Sequence, residues 1–524
     1  MGATFVLRTF LFLIICLAVL ATCLFMATVG YEIQLGNRKA AGFLLTTLLG
    51  SPLILASVAA QLVAMVGLYA LWLTALWRIS GLAGAGGHWS QHPAACLAWL
   101  WLASTWILLR AHAAWFPNSS WTWATEPLFD RAAVWGVDLL CAIALGYLLF
   151  RAAPTLIRRL RDRGRHDGFR MRRIALSPWS YLIFLFCASA VVNALAPGPA
   201  STGKLRAPAA VTANTNRDVV ILGLDSLRRE VVEDPASWGM PNLAALVANG
   251  HLNDNVVTPL ARTFPSWVTI LTGMHPTQSG ARTNHAPQER VARNASMAWT
   301  FRDAGYRTVY ATDETRFSHI LPAFGFDEVI GPQIGVTDFL LGQFSDQPLI
   351  NFFVQMPGAE HFLPALVGNR AFAHAYVPER FNRRFVAALG SKGDRPLFLS
   401  VHLCTAHWPF FAAEAGSAVQ EPGGGPLDVA KYQHMLRLVD RQLGDMLDQL
   451  GDEGYLTQET LLVVLSDHGE GLPSDSAAPL TVRTHGVDVD LSWPMGGHGG
   501  SLLAPEQWQS FVLFSVPVAR VPFR

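Results

Sequence analysis

Long apolar runs separated by short polar stretches fill roughly the first 196 positions of the chain; beyond position 217 the runs shorten and alternate with segments of helical spacing. Crossing a hydrocarbon core of about 30 Å takes roughly 20 apolar residues at about 1.5 Å each. Five segments approach or exceed that length: 9–30, 43–77, 94–113, 132–150 and 180–196. The first has no small-residue cleavage site and is expected to stay in place as a span. The second is too long for one upright helix, and Pro52 is expected to divide an interfacial lead-in from the span proper. Residues 151–173 hold nine arginines against Asp162 and Asp167, which predicts a cytoplasmic loop. Counting outward from that loop puts the N-terminus in the cytoplasm and everything after about residue 197 outside it. Asp138 falls inside the fourth run and is expected to face the bundle interior, paired there.

The second half reads differently. Residues 197–217 are rich in Pro, Ala, Ser and Thr without apolar periodicity, which predicts a linker. Nearly continuous apolar runs then recur at 218–225, 307–311, 397–403, 460–465 and 510–516, the pattern of strands covered on both faces. Helix-like stretches such as 240–249 and 432–450 lie between them. This alternation predicts an α/β domain over 218–524 with a mainly parallel sheet, preceded by an α-helical membrane domain of five spans over 1–196. The segment 336–380 is unusually apolar for this half and is expected to be an insertion covering the sheet.

Composition narrows the function classes. The apolar set makes up 51% of the 524 residues and charged residues only 15%, consistent with part of the chain in lipid. A net charge of +1 argues against a nucleic-acid partner, which calls for a basic face able to displace phosphate counterions. Cys16, Cys23, Cys96, Cys141 and Cys187 lie in apolar runs and Cys404 stands alone in the polar half, so no structural disulfide is expected.

Ligands of parallel sheets sit beyond the carboxyl ends of the strands. There the first strand delivers Asp225 and Ser226, and the run 461–465 delivers Ser466-Asp467-His468-Gly469-Glu470. Carboxylate and imidazole side by side suit a divalent ion such as zinc or manganese. Thr263-Phe-Pro-Ser-Trp267 presents a hydroxyl ahead of a small-residue helix, where a helix start favours negative charge. Thr405-Ala-His407-Trp-Pro-Phe410 follows the 397–403 strand, and Gly496-Gly-His498-Gly-Gly500 sets an imidazole in a glycine loop before Ala504-Pro-Glu-Gln507.

Taken in order, G-L-D-S-L-R, M-P-N-L, T-F-P-S-W with L-T-G, H-W-P-F, S-D-H-G-E and G-H-G-G with A-P-E-Q resemble the alkaline phosphatase and sulfatase superfamily from Asp218 to the C-terminus. That resemblance implies an alkaline phosphatase-like fold and Asp225, Thr263, Asp467 and His468 as metal ligands, with Thr263 also the nucleophile. It implies that His407 and His498 touch the substrate phosphate or the leaving group, and that Asn284 holds a phosphate oxygen. Two-zinc phosphodiesterases that this domain resembles need a further Asp and His ahead of S-D-H-G; His402 and His407 are present here but no nearby Asp precedes them, so one divalent ion is expected, manganese or zinc in preference to magnesium.

Sulfate-ester hydrolysis calls for a cysteine or serine in C/S-x-P-x-R, oxidised to formylglycine; here Thr263 and Trp267 stand at the first and last positions. A threonine oxygen suits attack on phosphorus instead. Spans followed by such a domain look like the lipoteichoic acid synthases and phosphoethanolamine transferases. The resemblance therefore implies an inner-membrane phosphotransferase whose catalytic domain lies outside the cytoplasm, with a phospholipid donor and an envelope glycan or lipid acceptor. An anchored phosphodiesterase or sulfatase-like hydrolase is the alternative. Asp225 departs from the glutamate those transferases use as the early ligand.

Overall fold

The computed structural model describes residues 52–84, 93–116, 119, 121, 217–332, 345–408, 410, 412, 427–472, 481–484, 487–490, 497–501 and 504–515. The spans predicted at 9–30, 132–150 and 180–196, the arginine-rich loop, Asp138 and all but the last linker position lie outside them. The chain divides into two compact units. One comprises Met1–Ala196 with Phe339–Pro364 and Glu414–Ala418; the other comprises Pro197–Asp338, Ala365–Ala413 and Val419–Arg524.

In the first unit, helix α1 spans Pro52–Gly84 and helix α2 spans Pro93–Trp115. Both begin on proline, whose fixed φ and missing N–H suit a first helical position. The helix therefore starts where the sequence placed the break before the second span. Within α1, the 21 residues Ala56–Leu76 are long and apolar enough to cross a membrane, and among the described residues they form the one candidate span.

The apolar segment 336–380 behaves as expected only toward its end, where Tyr376 joins a core cluster of the sheet. None of residues 345–364 joins either core cluster of the sheet. Their short helix, Pro348–Phe353, lies on α2 instead, with the Phe352 ring 5.2 Å from that of Phe116 and 6.1 Å from that of His112. Polar contacts fix the choice. Asn351 Nδ2 lies 2.9 Å from His112 Nε2, Ser119 Oγ donates to Asp346 Oδ1 at 2.6 Å, and Trp121 Nε1 donates to the Asp346 carbonyl at 2.7 Å. These partners are specific to α2 and the residues after it, and apolar content alone could not reveal them.

The second unit is built on a seven-stranded mixed sheet of order β2-β9-β6-β1-β5-β3-β4. The strands are β1 Val219–Leu224, β2 His251–Val257, β3 Arg307–Thr312, β4 Glu328–Ile330, β5 Leu397–Leu403, β6 Leu461–Leu465 and β9 Gln509–Ser515. The central pairs β6–β1, β1–β5, β5–β3 and β3–β4 are parallel, as predicted; β9 is antiparallel to both its neighbours. Strand β2 was not expected, because His251-Leu-Asn-Asp-Asn-Val-Val257 alternates exposed and half-buried positions at a sheet edge. A separate two-stranded ribbon pairs β7 (Thr481–Thr484) with β8 (Val487–Asp490).

Successive strand residues point to opposite faces, and both faces are covered. One receives Val220, Leu222, Leu399, Val401, Leu462 and Val464. It packs against α3 (Pro241–Asn249), α5 (Pro378–Leu389) and α6 (Leu427–Asp452). The other receives Ile221, Tyr310, Phe398 and Val463 and packs against α4 (Thr263–Thr272) through Phe264, Trp267, Val268 and Leu271. Gly223 makes room for that second layer, since a Cβ there would sit 2.4 Å from the Trp267 ring. Buried Asp440 of α6 caps α3, accepting from the backbone N–H groups of Asn242 at 3.1 Å and Leu243 at 2.9 Å.

Candidate active site

The carboxyl ends of β1, β5 and β6 meet at one edge of the sheet, and the chemistry gathers there. Asp225 leaves β1 with its N–H bonded to the Leu403 carbonyl of β5 at 2.9 Å. The next residue, Ser226, turns the chain with φ of 60°, the one positive-φ residue other than glycine among the described residues. Its hydroxyl donates to Asp225 Oδ1 at 3.1 Å and its carbonyl accepts from Tyr432 of α6 at 2.8 Å, which holds the strained turn.

Strand β6 delivers Asp467 and His468. Asp467 Oδ1 accepts from the His468 N–H at 3.0 Å. His468 Nδ1 lies 3.0 Å from the Gly469 carbonyl, so Nδ1 carries the proton and Nε2 is free to accept or ligate. Nε2 lies 3.5 Å from Asp225 Oδ1 and 3.5 Å from Asp467 Oδ2. Gly469 is required by closeness, since a Cβ would sit 2.0 Å from the Glu506 carbonyl.

Thr263 opens α4, is buried, and puts Oγ1 3.5 Å from His468 Nε2. Asn284 stands beside that helix start, its Oδ1 accepting from the Phe264 N–H at 3.1 Å. His407 follows β5 and is steered by buried Arg370, which donates to the His407 carbonyl at 2.7 Å and to the Thr405 carbonyl at 3.4 Å. His498 is brought in by the paired backbone bonds of Gly471 with Gly497, each 2.8 Å. Its ring stacks on His468 at 4.2 Å between centroids and meets His407 edge-on at 4.8 Å. Asp225, Thr263, Asp467, His468, His407 and His498 thus converge, with Asn284 at the edge of the group.

Burial and charge set the proton positions. Burial opposes ionisation of Asp225, but the imidazoles of His407, His402 and His468 outweigh it and hold its carboxyl well below the usual range. Burial, then the charge of Asp225, pushes Asp467 well above it. Burial and the neighbouring His498 keep His468 well below its ordinary value, hence neutral. Burial opposes charge on His498 too, but Glu470, whose carboxylate oxygens lie 3.3 and 3.4 Å from Nδ1, outweighs it and raises the value.

The donor set fits a divalent cation. One oxygen or nitrogen from each of Asp225, Asp467 and His468 lies within 4.8 Å of the others. Asp467 Oδ2 is buried with no hydrogen-bond partner among the described residues, a costly arrangement unless a cation takes it up. Three members of the neighbourhood were not assigned from the sequence: His402, Glu470 and Asp313. His402 Nε2 lies 3.4 Å from Asp225 Oδ2 and 3.7 Å from Asp467 Oδ2, and Asp313 Oδ1 accepts from the Cys404 N–H at 2.7 Å. A histidine inside the otherwise apolar run Leu397-Phe-Leu-Ser-Val-His-Leu403 was the signal available for the first.

The sulfatase family model matches residues 217–498, more than half of the chain. The chain therefore belongs to the sulfatase family, within the alkaline phosphatase superfamily. Among solved structures it is similar to Ps i-CgsB in complex with k-i-k-neocarrahexaose, at 18% identity over 58% of this chain and 66% of that one, with a TM-score of 0.40. It is similar also to the lipoteichoic acid synthase LtaP from Listeria monocytogenes, at 13% identity over 60% and 71% of the two chains and a TM-score of 0.37. The C-terminal periplasmic domain of EcEptC from Escherichia coli matches at 16% identity over 58% and 73%, with a TM-score of 0.35. The match to Ps i-CgsB spans just under two thirds of that chain, at 66%. No curated protein matches.

Proposed function

We propose that this protein is a membrane-anchored, metal-dependent phosphotransferase that moves a phospholipid headgroup phosphate, through a phosphothreonine at Thr263, to an envelope glycan or lipid hydroxyl. The observation that carries this reading is a buried threonine oxygen 3.5 Å from His468 Nε2, the same nitrogen that lies 3.5 Å from the orphaned Asp467 Oδ2. Threonine at that position cannot become formylglycine, which turns a sulfatase-family scaffold toward phosphorus.

Asp225, Asp467, His468 and Thr263 would hold one divalent ion, zinc or manganese, with the catalytic domain on the outer side of the inner membrane. When bound, the ion lowers the threonine's proton affinity and neutralises charge on the phosphate oxygens. Thr263 Oγ1, its proton given up to solvent, forms a bond to phosphorus as the bond to the diacylglycerol oxygen breaks; the acceptor oxygen then forms a bond to phosphorus as the Thr263 Oγ1–phosphorus bond breaks. His498, oriented by Glu470, gives the diacylglycerol oxygen its proton and later takes one from the acceptor hydroxyl. His407 and Asn284 hold non-bridging oxygens. Membrane attachment supports a lipid donor, because it keeps the site at the headgroup layer and raises the local donor concentration.

Incubation of the purified full chain with labelled phosphatidylglycerol or phosphatidylethanolamine tests the reading. Diacylglycerol release with label transferred to an added glycan or lipid is the expected result, with labelled phosphothreonine after rapid acid quench. Release of free phosphorylated headgroup alone would convert the proposal to the hydrolase alternative. Full activity in Thr263→Ala would overturn it.

A further inference from the structure

A second constellation lies against the first, on the side of β5. Asp225 presents its two oxygens to different imidazoles: Oδ1 is 3.5 Å from His468 Nε2, and Oδ2 is 3.4 Å from His402 Nε2. Cys404 Sγ lies 3.6 Å from His402 Nδ1 and 3.7 Å from its Nε2. One donor atom each from Asp225, His402 and Cys404 lies within 4.8 Å of the others, and all three residues are buried. The lone oxygen Asp467 Oδ2 is 3.7 Å from His402 Nε2.

We infer that Asp225, His402 and Cys404 form a second cation site, a thiolate-bearing zinc site sharing the Asp225 carboxylate with the first. The inference rests on the proposed reading of Asp225, Asp467 and His468 as ligands of a first ion, and goes beyond the single ion of that reading. Bond lengths of about 2.3 Å to sulfur and about 2.0 Å to nitrogen and oxygen in a tetrahedral zinc shell put S···N near 3.5 Å and N···O near 3.3 Å. The observed 3.7 and 3.4 Å are close to those spacings, but Sγ is equally near Nδ1 at 3.6 Å, so the Cys404 side chain must turn toward the Nε2 lone pair as the ion binds.

A carboxylate facing two ligand groups is the arrangement that bridges a pair of ions about 3.5–4 Å apart. Charge agrees. Two divalent ions against Asp225, Asp467, a Cys404 thiolate and a deprotonated Thr263 leave these six partners neutral, which a buried site favours. Loading releases the Cys404 thiol proton to solvent as the sulfur–metal bond forms. Imidazole with thiolate selects zinc over manganese or magnesium, which prefer oxygen donors.

The test uses the full chain in detergent, stripped with chelator and reloaded with zinc or cobalt(II), each alone. Elemental analysis should give two zinc ions per wild-type chain, and the cobalt form should show a near-ultraviolet thiolate-to-metal charge-transfer band. Cys404→Ala should hold one ion and lose the band, and His402→Gln, which leaves the sulfur in place, should also fall to one ion. Thr263→Ala should keep the band. One ion per wild-type chain, no such band, or a band that survives Cys404→Ala overturns the inference. Two ions and the band without any lipid phosphotransfer would instead sink the proposed function and leave this site standing; transfer with a single ion does the reverse.

Discussion

The histidine pair beside the Thr263 helix gives the protein an acid sensitivity whose size can be worked out. His319 Nε2 lies 3.4 Å from His285 Nδ1, and the His319 ring stands edge-on to Phe264 at 6.1 Å, against the first turn of α4. Burial, then the charge of His285, lowers His319 from 6.5 to about 4. A folded value below the unfolded one means the unfolded chain binds the extra proton between those limits. The stability contribution is therefore intact above pH 6.5, falls as pH drops, and stops falling below about 4. At pH 5 the loss from this one group is about 2 kcal/mol, approaching about 3 kcal/mol at its acid limit. Urea unfolding of the full chain in detergent, followed by tryptophan fluorescence at pH 7 and pH 5, reads the difference. His319→Leu should shrink the pH 7 to pH 5 loss by about 2 kcal/mol whatever its effect at pH 7. Superimposable pH dependences for the variant and the wild type would refute the reasoning.

Removing the buried carboxylate that caps α3, by Asp440→Ala, leaves the N–H groups of Asn242 and Leu243 without their acceptor. It should cost about 2–3 kcal/mol in the same unfolding assay, and a loss under about 0.5 kcal/mol counts against the capping role. Gly469→Ala drives a methyl to 2.0 Å from the Glu506 carbonyl, so the Asp467–Glu470 turn must move. Bound metal measured by elemental analysis should fall together with turnover, and unchanged metal content would show that the turn tolerates the shift. Glu470→Gln removes the charge that raises His498. The imidazole then titrates at lower pH by NMR, and the limb of the pH–rate profile that depends on protonated His498 moves to lower pH with it. An unmoved profile would exclude His498 as the proton donor.

How far the site could be read from the chain alone depends on what kind of proximity each residue needs. Asp225, Asp467 and His468 were legible because a continuous apolar run marks a central parallel strand, and the rule that ligands gather at its carboxyl end needs no register. Thr263 was legible as the first residue of a helix opened by a hydroxyl. His402 and Cys404 were present in the same text but could not be assigned. Every residue of β5 is buried, so no polar and apolar alternation along Leu397–Leu403 tells which histidine face meets Asp225. Only the register, with Gly223 opposite His402 and Leu224 opposite Leu403, sets that imidazole beside the end of β1. Asp313 raises the same difficulty over a longer span, reaching the Cys404 N–H from the end of β3.

The insertion shows the converse limit. Its apolar content was legible, but its destination depended on a few polar atoms, Asp346 and Asn351 on one side and His112, Ser119 and Trp121 on the other. Hydrophobic patterning records how much surface must be covered, whereas hydrogen bonds between distant residues decide what covers it. The same division runs through the active site. Burial gives Asp467 its raised value, but what surrounds its unbonded oxygen is specified by His468 next to it in sequence and by Asp225 and His402 arriving from other strands.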